Sequence, residues 1–253
     1  MSTGAITSYI DVAQLALYAF WVFFAGLIYY LHRENKREGY PLESDRSPHV
    51  KVQGFPAMPD PKTYRLSDGR TFVAPNPRRE AAELRAQPYA AHLGAPLQPL
   101  GDPMLAGVGP GAYAQRADVP DRTLEGDARI VPLRVAGAFG VAGRDIDPRG
   151  LPVIGCDNRR GGTVRDIWVD RSEMLFRYLE VDAGGSRSVL LPINFARIEA
   201  RRVRVDSIKG QHFAGVPPTR DPDQVTLLEE EMVMAYYGAG TLYADPSRAE
   251  PLL

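Results

Sequence analysis

The stretch VAQLALYAFWVFFAGLIYYL, Val12–Leu31, decides the architecture of this chain. Its twenty residues include no charged side chain, and ten of them are Leu, Ile, Val or Phe. A helix of this length spans about 30 Å, which matches the hydrocarbon core of a bilayer. The aliphatic and phenylalanine side chains favour insertion by about 3 to 6 kcal/mol in total. The sequence therefore predicts a single transmembrane helix.

Two other interpretations of this stretch are weaker. A signal peptide carries basic residues before its apolar core, and no Lys or Arg precedes Arg33. A buried helix of a soluble domain is usually shorter than this apolar run. Because the first basic residues follow the span, the positive-inside rule predicts that the N-terminal tail, residues 1–11, is periplasmic and that the rest of the chain is cytoplasmic.

The segment that leaves the predicted membrane span is rich in charge. It begins HRENKREGYPLE and carries Arg33, Lys36, Arg37 and Tyr40 at the depth of the lipid headgroups. Each cation at such a surface can contribute about 1 kcal/mol of attraction to anionic lipids. We therefore expect these four residues to lie at the membrane surface, although the cations could equally serve only to set the topology.

Residues 32–112 are predicted to form an irregular arm along the membrane surface. Twelve of the 22 prolines lie between Pro41 and Pro110, and prolines at this density interrupt helices and sheets. Aromatic and aliphatic side chains persist through the segment, which favours an arm ordered against a partner over a free linker. Within it, YRLSDGRTFVA predicts a short hairpin that turns at Asp68 and Gly69.

The composition excludes several classes of function. The net charge is −1, so nothing indicates bulk binding to nucleic acid. The single cysteine, Cys156, rules out an internal disulfide framework and a thiolate-rich metal site. The four histidines are far apart in the sequence, and there is no phosphate-binding loop, nucleophile elbow or dinucleotide fingerprint.

From residue 113 onward the sequence alternates in the manner of short β-strands. Examples are GGTVRDIWVD at 161–170, LFRYLEVD at 175–182 and RRVRVDSI at 201–208. Short strands with tight turns are typical of a small, twisted antiparallel sheet or barrel. Thr226 and Glu229 form a capping-box pattern, which predicts a short C-terminal helix closed by Gly238. We therefore expect one mainly-β cytoplasmic domain, residues 113–253, with a helix at about 226–238.

One cluster of charged residues is a candidate for chemistry. Arg177 is in phase with the apolar side chains of its predicted strand, so its cation is expected to be buried. A buried guanidinium needs a carboxylate, and Asp170 and Glu173 lie across the preceding turn. Such a cluster is either a structural ion pair or a proton-transfer site, and the residues alone favour the structural alternative. A second acidic group is predicted to lie on a solvated loop and consists of Asp121, Glu125 and Asp127.

Several unusual segments of this chain occur together in one known family. They are FFAGLIYYLHRENKREGYPLE (23–43), PKTYRL (61–66), GDPMLAGVGPGAY (101–113), RIVPLRV (129–135), DPRGLPV (147–153), GTVRDIWVDRSE (162–173), FRYLEV (176–181), LLPINF (190–195) and VTLLEEEMVMAYYGAGTLYADPSRAEPLL (225–253). Over essentially its whole length the chain resembles the H subunit of the purple-bacterial photosynthetic reaction centre. Its central strands, at about 145–210, resemble the PRC-barrel, a small β-barrel that this family contains.

This resemblance implies a membrane-anchored subunit that is not an enzyme. It would cap the L and M subunits on the cytoplasmic side, shield the quinone sites and support proton uptake to the secondary quinone in light-driven cyclic electron transport. The bacteriochlorophyll, bacteriopheophytin, quinones, carotenoid and non-haem iron would be held by L and M, and this chain would bind none of them directly. The implied location is the bacterial inner, intracytoplasmic membrane. Phospholipids are further expected partners, a cytochrome subunit and an antenna ring are compatible with the resemblance, and nucleic acid is not expected.

The resemblance also assigns roles to individual residues. Glu173 matches the family's buried carboxylate near the secondary quinone, with Asp170 and Arg177 beside it. Some members carry two histidines where protons enter, and the corresponding loop here reads LEGDAR, residues 124–129. Glu125 and Asp127 would replace that histidine pair, and an entrance elsewhere stays open.

Two other functions remain if the resemblance is set aside. One is a membrane-tethered PRC-barrel adaptor that binds a cytoplasmic protein or an RNA. A basic barrel face would favour RNA, but acidic residues dilute it: Asp166, Asp170, Glu173, Glu180 and Asp182. The other is a membrane-anchored enzyme, for which the sequence offers no recognisable nucleophile, metal or phosphate motif.

Overall fold

The computed structural model describes residues 6, 10–44, 47–76, 84–92, 94–184 and 188–248. The chain separates into two compact units, Met1–Ala82 and Glu83–Leu253. Most of the predicted periplasmic tail, residues 1–11, lies outside the described residues. The predicted arm, residues 32–112, is divided between the two units.

The apolar stretch forms one long helix, α1 (Val12–Glu34). Asp11 caps its N-terminus, because the Asp11 carboxylate accepts a hydrogen bond from the backbone N–H of Gln14 at 2.7 Å. A 3₁₀ turn, Asn35–Arg37, extends it to 26 residues, and none of the side chains in α1 is buried within the chain. The length and composition of this helix suit a membrane span. The helix extends beyond the predicted end at Leu31, because the charged residues that follow continue it.

The rest of the first unit consists of two hairpins. Strands β1 (Leu42–Ser44) and β2 (Ser47–Val52) pair antiparallel, as do β3 (Lys62–Arg65) and β4 (Thr71–Ala74). The second hairpin confirms the predicted turn: the N–H of Leu66 donates to the carbonyl of Arg70, and Gly69 adopts a positive φ of 83°.

The second unit is built around one sheet. The strands of this unit are β5 (Ala86–Pro88), β6 (Leu97–Pro99), β7 (Ile130–Pro132), β8 (Pro152–Ile154), β9 (Arg160–Asp170), β10 (Leu175–Asp182), β11 (Ser188–Pro192), β12 (Ala196–Glu199) and β13 (Arg202–Val205). β5 and β6 form a separate pair. The main sheet has the order β11-β10-β9-β8-β13-β12, and β7 pairs with the end of β9. It departs from the predicted antiparallel arrangement at one pair, since β8 and β13 run parallel.

The core lies between this sheet and a C-terminal helix, α2 (Leu227–Tyr243). Fully buried side chains include Trp168, Leu179, Val203, Phe213 and Tyr237. Each large apolar side chain buried in this way contributes about 1.5 to 3 kcal/mol. Mainly-β structure with one apolar N-terminal helix and one C-terminal helix is therefore the observed architecture, as the sequence predicted.

The start of α2 confirms the predicted capping box, but its end does not follow the prediction. Thr226 Oγ1 accepts from the N–H of Glu229 at 3.1 Å, and Glu229 Oε2 accepts from the N–H of Thr226 at 2.9 Å. The helix then passes through Gly238 and ends at Tyr243, so the prediction that Gly238 closes it was wrong. Gly238 serves packing instead, because a Cβ there would overlap the carbonyl oxygen of Pro110.

Candidate functional site

An arginine bound to three carboxylates lies at the end of β9. Arg129, which precedes β7, donates through Nε to Asp170 Oδ1 at 3.0 Å and through Nη2 to Glu173 Oε1 at 2.5 Å. Its Nη1 donates to Asp121 Oδ2 at 3.0 Å. The Asp170 side chain is fully buried, whereas that of Glu173 is 47% exposed. We call these four residues the Arg129 cluster.

The register of the sheet creates the Arg129 cluster. Ile130 of β7 pairs with Asp170 of β9, and the backbone N–H of Arg171 donates to the Arg129 carbonyl at 3.0 Å. The N–H of Arg129 donates in turn to the Asp121 carbonyl at 2.8 Å. Sequence reasoning missed Arg129, because 41 residues separate it from Asp170 and no local pattern predicts which strands pair. It also interpreted Asp121 as part of a solvated loop.

Asp170 is the fixed part of the Arg129 cluster. Its Oδ1 accepts hydrogen bonds from the backbone N–H groups of Ser172 and Glu173, both at 2.9 Å. Burial by itself would raise the pKa of Asp170, but the Arg129 guanidinium and these two amides outweigh it and hold that pKa below its ordinary value. The carboxylate therefore stays ionised and orients both Arg129 and the turn that carries Glu173.

Arg177 lies in a different environment from the predicted one. A β-bulge between Phe176 and Tyr178 interrupts the alternation of β10, so residues before and after it differ in phase. The Arg177 side chain is 42% exposed, and its Nη1 lies 3.9 Å from Glu173 Oε2. The prediction of a buried guanidinium was wrong. The arginine that neutralises Asp170 is Arg129.

The loop that carries Glu125 and Asp127 lies beside the Arg129 cluster and is exposed. The N–H of Thr123 donates to the Asp127 carbonyl at 2.9 Å, which closes the loop. Asp127 Oδ2 is 3.9 Å from Arg171 Nη1, and Arg171 also donates to the backbone of Ala128. The backbone N–H of Glu125 itself holds the pKa of that carboxyl below its ordinary value. Both carboxylates are thus open to solvent, with Arg171 between them and Arg129.

A second ion cluster, which sequence reasoning also missed, joins β9 and β10 to Arg134, which follows β7. Arg134 Nη1 donates to Glu180 Oε2 at 2.5 Å and to Asp166 Oδ2 at 3.1 Å. The indole N–H of Trp168 donates to the same Glu180 oxygen at 3.1 Å. Both carboxylates are buried and paired with Arg134, so we assign this cluster to holding the sheet together.

Two basic residues just after α1 form hydrogen bonds within the first unit. Lys36 is only 3% exposed, and its Nζ donates to the carbonyls of Gln53 and Pro56, each at 2.5 Å. The same ammonium lies 5.1 Å from the centroid of the Tyr40 ring, a cation–π contact. Lys36 was predicted to lie among the lipid headgroups, but in the structure its ammonium is buried and donates hydrogen bonds to backbone carbonyls.

Arg37 follows the same logic. Its guanidinium donates to Glu34 Oε2 at 2.7 Å and to the carbonyls of Asp60 and Ala74 at 2.6 and 3.0 Å. These bonds hold the second hairpin of the first unit to the end of α1. Of the four residues predicted at the membrane surface, Arg33 and Tyr40 remain partly exposed.

Among the residues that the structure describes, no group of three or more His, Cys, Asp or Glu side chains is arranged to hold a metal ion. In the Arg129 cluster the carboxylates are paired with a guanidinium, and those of Glu173 and Asp121 are open to solvent.

The fold first defines a class. One apolar helix of membrane-spanning length is followed by a mainly-β domain, and a family model described as the PRC-barrel domain matches residues 144–212. The chain is a membrane protein with a PRC-barrel.

A second family model narrows this class. The model described as photosynthetic reaction centre, H-chain N-terminal region, matches residues 4–135, which is more than half of the chain. The chain therefore belongs to the photosynthetic reaction centre H-chain family. This family is a structural, non-pigment-binding subunit of the photosynthetic complex that associates with the L and M subunits, and it is not a classical enzyme.

Proposed function

We propose that this chain caps the cytoplasmic face of the L and M subunits and supports proton uptake to the secondary quinone through the Arg129 cluster. The observation that carries the proposal is the position of Glu173. Its carboxylate is about half exposed on this chain, yet Arg129 joins it to a carboxylate that is fully buried. A partner that covers this face would bury Glu173 while leaving it bound to the cation.

The roles of the carboxylates follow from their environments. Asp170 holds its proton weakly, because Arg129 and two amides stabilise its charge, so it serves to position Arg129. Among the described residues, the Glu173 carboxylate accepts its hydrogen bond from Arg129 and is half exposed, so we assign the transfer step to it. Charge that develops on a buried quinone is costly without compensation, so a carboxylate that delivers a proton there has a physical purpose.

The exposed loop supplies the solvent side of this route. Glu125 and Asp127 are open to water, and Arg171 connects Asp127 to the backbone of Arg129. We propose that protons enter here and pass to Glu173, with Arg177 as a nearby cation that tunes Glu173 from 3.9 Å. Carboxylates replace the histidine pair of other family members in this role.

The orientation and the remaining partners belong to the same proposal. The first basic residues follow the apolar stretch Val12–Leu31, so the N-terminus faces the periplasm and the rest of the chain faces the cytoplasm of a bacterial inner, intracytoplasmic membrane. Arg33 and Tyr40 would meet phospholipid headgroups. The L and M subunits would hold the bacteriochlorophyll, bacteriopheophytin, quinones, carotenoid and non-haem iron, and a cytochrome subunit or an antenna ring is compatible with the same complex.

The test is Glu173→Gln in assembled reaction centres. We expect the proton-coupled transfer of the second electron to the secondary quinone to slow about tenfold or more, while the initial charge separation keeps its rate. The measurement is flash-induced absorption kinetics. Glutamine preserves the shape and a hydrogen bond to Arg129 but cannot carry a proton.

Glu199→Gln is the matched control. Glu199 also pairs with an arginine, at 2.6 Å from Arg202 Nε, but it lies on β12, outside the Arg129 cluster. Unchanged kinetics of the second electron transfer in Glu173→Gln would remove Glu173 from the route, and equal slowing in both variants would indicate a general loss of surface charge.

A further inference from the structure

The carboxylate of Glu230 accepts a hydrogen bond from a buried tyrosine. The hydroxyl of Tyr178 donates to Glu230 Oε2 at 2.8 Å. Tyr178 is 4% exposed, and Glu230 is partly buried. The pair joins β10 to the first turns of α2, and the Arg129 cluster does not include it.

Neighbouring contacts fix the position of Glu230. The N-terminus of α2 is tied to the segment before β7, since Thr226 Oγ1 donates to Asp118 Oδ1 at 2.8 Å and the N–H of Leu227 donates to the Val119 carbonyl at 3.0 Å. The same segment continues to Asp121, which binds Arg129. Glu230 is therefore held against β10, the strand that follows the turn with Glu173, and its helix is tied to the segment that continues to Asp121.

The charges around Glu230 differ from those around Asp170. Arg177 faces it from β10, Arg116 and Asp121 act on it from the segment before β7, and Glu231 follows it on α2. Within the described part of the chain, Tyr178 is the hydrogen-bond partner of its carboxylate, and no guanidinium contacts it directly.

The balance of these effects has a clear direction. Burial raises the pKa of Glu230 above its ordinary value, although the Tyr178 hydroxyl and the two arginines oppose this. Burial also raises the pKa of Tyr178, so the phenol keeps its own proton. The environment of the pair therefore favours the protonated form of Glu230 more than solvent favours that of an ordinary Glu.

We propose that Glu230 is a second proton-holding group of this subunit, positioned by Tyr178 and coupled electrostatically to Glu173 through Arg177. This inference rests on the proposed proton uptake. When Glu173 has given up its proton, the O–H bond of Glu230 breaks and the ionised Glu173 carboxylate accepts that proton. Glu230 then regains a proton from the solvent.

The first experiment measures the proton on Glu230 directly. In assembled reaction centres kept in the dark, infrared spectroscopy follows the carbonyl stretch of protonated carboxylic acids as the pH rises. Wild type should show a band that persists above the range of an ordinary Glu, and Glu230→Gln should lack it. Tyr178→Phe should keep the band but shift its frequency and move its loss to higher pH, because the phenol no longer stabilises the ionised form.

Glu231→Gln is the matched control. It removes the adjacent carboxylate, which lies 3.6 Å from Arg116, and should leave the band in place. A band that persists unchanged in Glu230→Gln would overturn the proposal. The Tyr178→Phe shift provides a separate test in a chain that keeps Glu230.

The second experiment measures delivery of the proton. Glu230→Gln should slow the second electron transfer to the secondary quinone about threefold or more. A wild-type rate at every pH would also overturn the proposal. Failure of the proposed function itself gives a different result: the second transfer would then be insensitive to Glu173→Gln, whatever the infrared band of Glu230 shows.

Discussion

At the scale of single residues, this chain uses carboxylates in opposite ways. A guanidinium and two amides lower the pKa of the buried Asp170, whereas desolvation raises the pKa of the partly buried Glu230 against the opposing effect of the Tyr178 phenol. Glu173 is half exposed and shares Arg129 with Asp170. The same functional group can therefore position, store or transfer a proton, according to the donors that its backbone brings near.

The lowered pKa of Asp170 predicts a pH dependence of stability. A carboxyl with a folded pKa below its unfolded value of about 3.9 stabilises the fold above that pH and loses this contribution as the pH falls through the folded pKa. Asp170→Asn should lower the free energy of unfolding by about 3 kcal/mol at neutral pH, because it leaves Arg129 without its buried partner. The gap between the two proteins should narrow below about pH 4.

Chemical denaturation of the full chain in detergent, at a series of pH values, measures this gap. Asp147→Asn is the control, since Asp147 pairs with Arg149 on an exposed turn and should cost under about 1 kcal/mol. A gap that stays constant from neutral pH to pH 2 would show that the charge of Asp170 is not what stabilises the fold.

At the scale of elements, α2 is positioned by its close packing against a 3₁₀ turn that lies far before it in the sequence. The 3₁₀ turn Gly109–Gly111 packs against α2, and Gly111 lies where a Cβ would meet the Cβ of Ala239 at 2.9 Å. Gly238 faces the Pro110 carbonyl in the same way. The glycine-rich segment GVGPG, residues 107–111, is thus a packing surface for the helix.

Gly238→Ala tests this packing. In an open helix the change would stabilise by about 1 kcal/mol, but here the new methyl group overlaps a backbone oxygen, and such overpacking costs about 1 to 3 kcal/mol or more. We expect a net loss, seen as a lower midpoint of thermal unfolding of the full chain in detergent. Gly140→Ala is the control, because nothing lies within 4 Å of a Cβ at that position. A midpoint at or above wild type in Gly238→Ala would contradict the packing account.

At the scale of the whole molecule, the first unit leaves large apolar side chains uncovered by the rest of the chain. In the first unit Phe55 is 82% exposed, and the hairpin of β3 and β4 exposes Tyr64, Leu66, Phe72 and Val73. Apolar patches of this kind mark surfaces that partners cover. They support the proposal that the arm is ordered against the L and M subunits.

The arm between Pro41 and Pro110 should therefore be protected from trypsin in the assembled complex and cut readily in the isolated chain. Exposed arginines such as Arg65 and Arg70 provide cleavage sites. Circular dichroism of the isolated chain in the same detergent controls for loss of structure. Equal rates of cutting in both samples would mean that no partner covers the arm.

The sequence by itself determined the features that depend on local pattern. A charge-free run of twenty residues predicts a helix of membrane length, because a helix satisfies all its backbone hydrogen bonds within the segment. The Asp68–Gly69 turn and the Thr226 capping box depend on residues only a few positions apart. The alternation of β9 and β10 predicted strands correctly for the same reason. The motifs that resemble the H-chain family likewise lie within short continuous segments.

Only the tertiary structure decided which distant residues meet. The pairing of β7 with β9 brought Arg129 to Asp170 across 41 residues, and the bulge in β10 turned Arg177 outward. The docking of α2 brought Glu230 to Tyr178 across 52 residues, and the folded arm enclosed Lys36. Periodicity specifies which face of a strand is apolar, but register and packing depend on the free energy of the whole fold, so the partners of a buried charge become known only when the strands are in place.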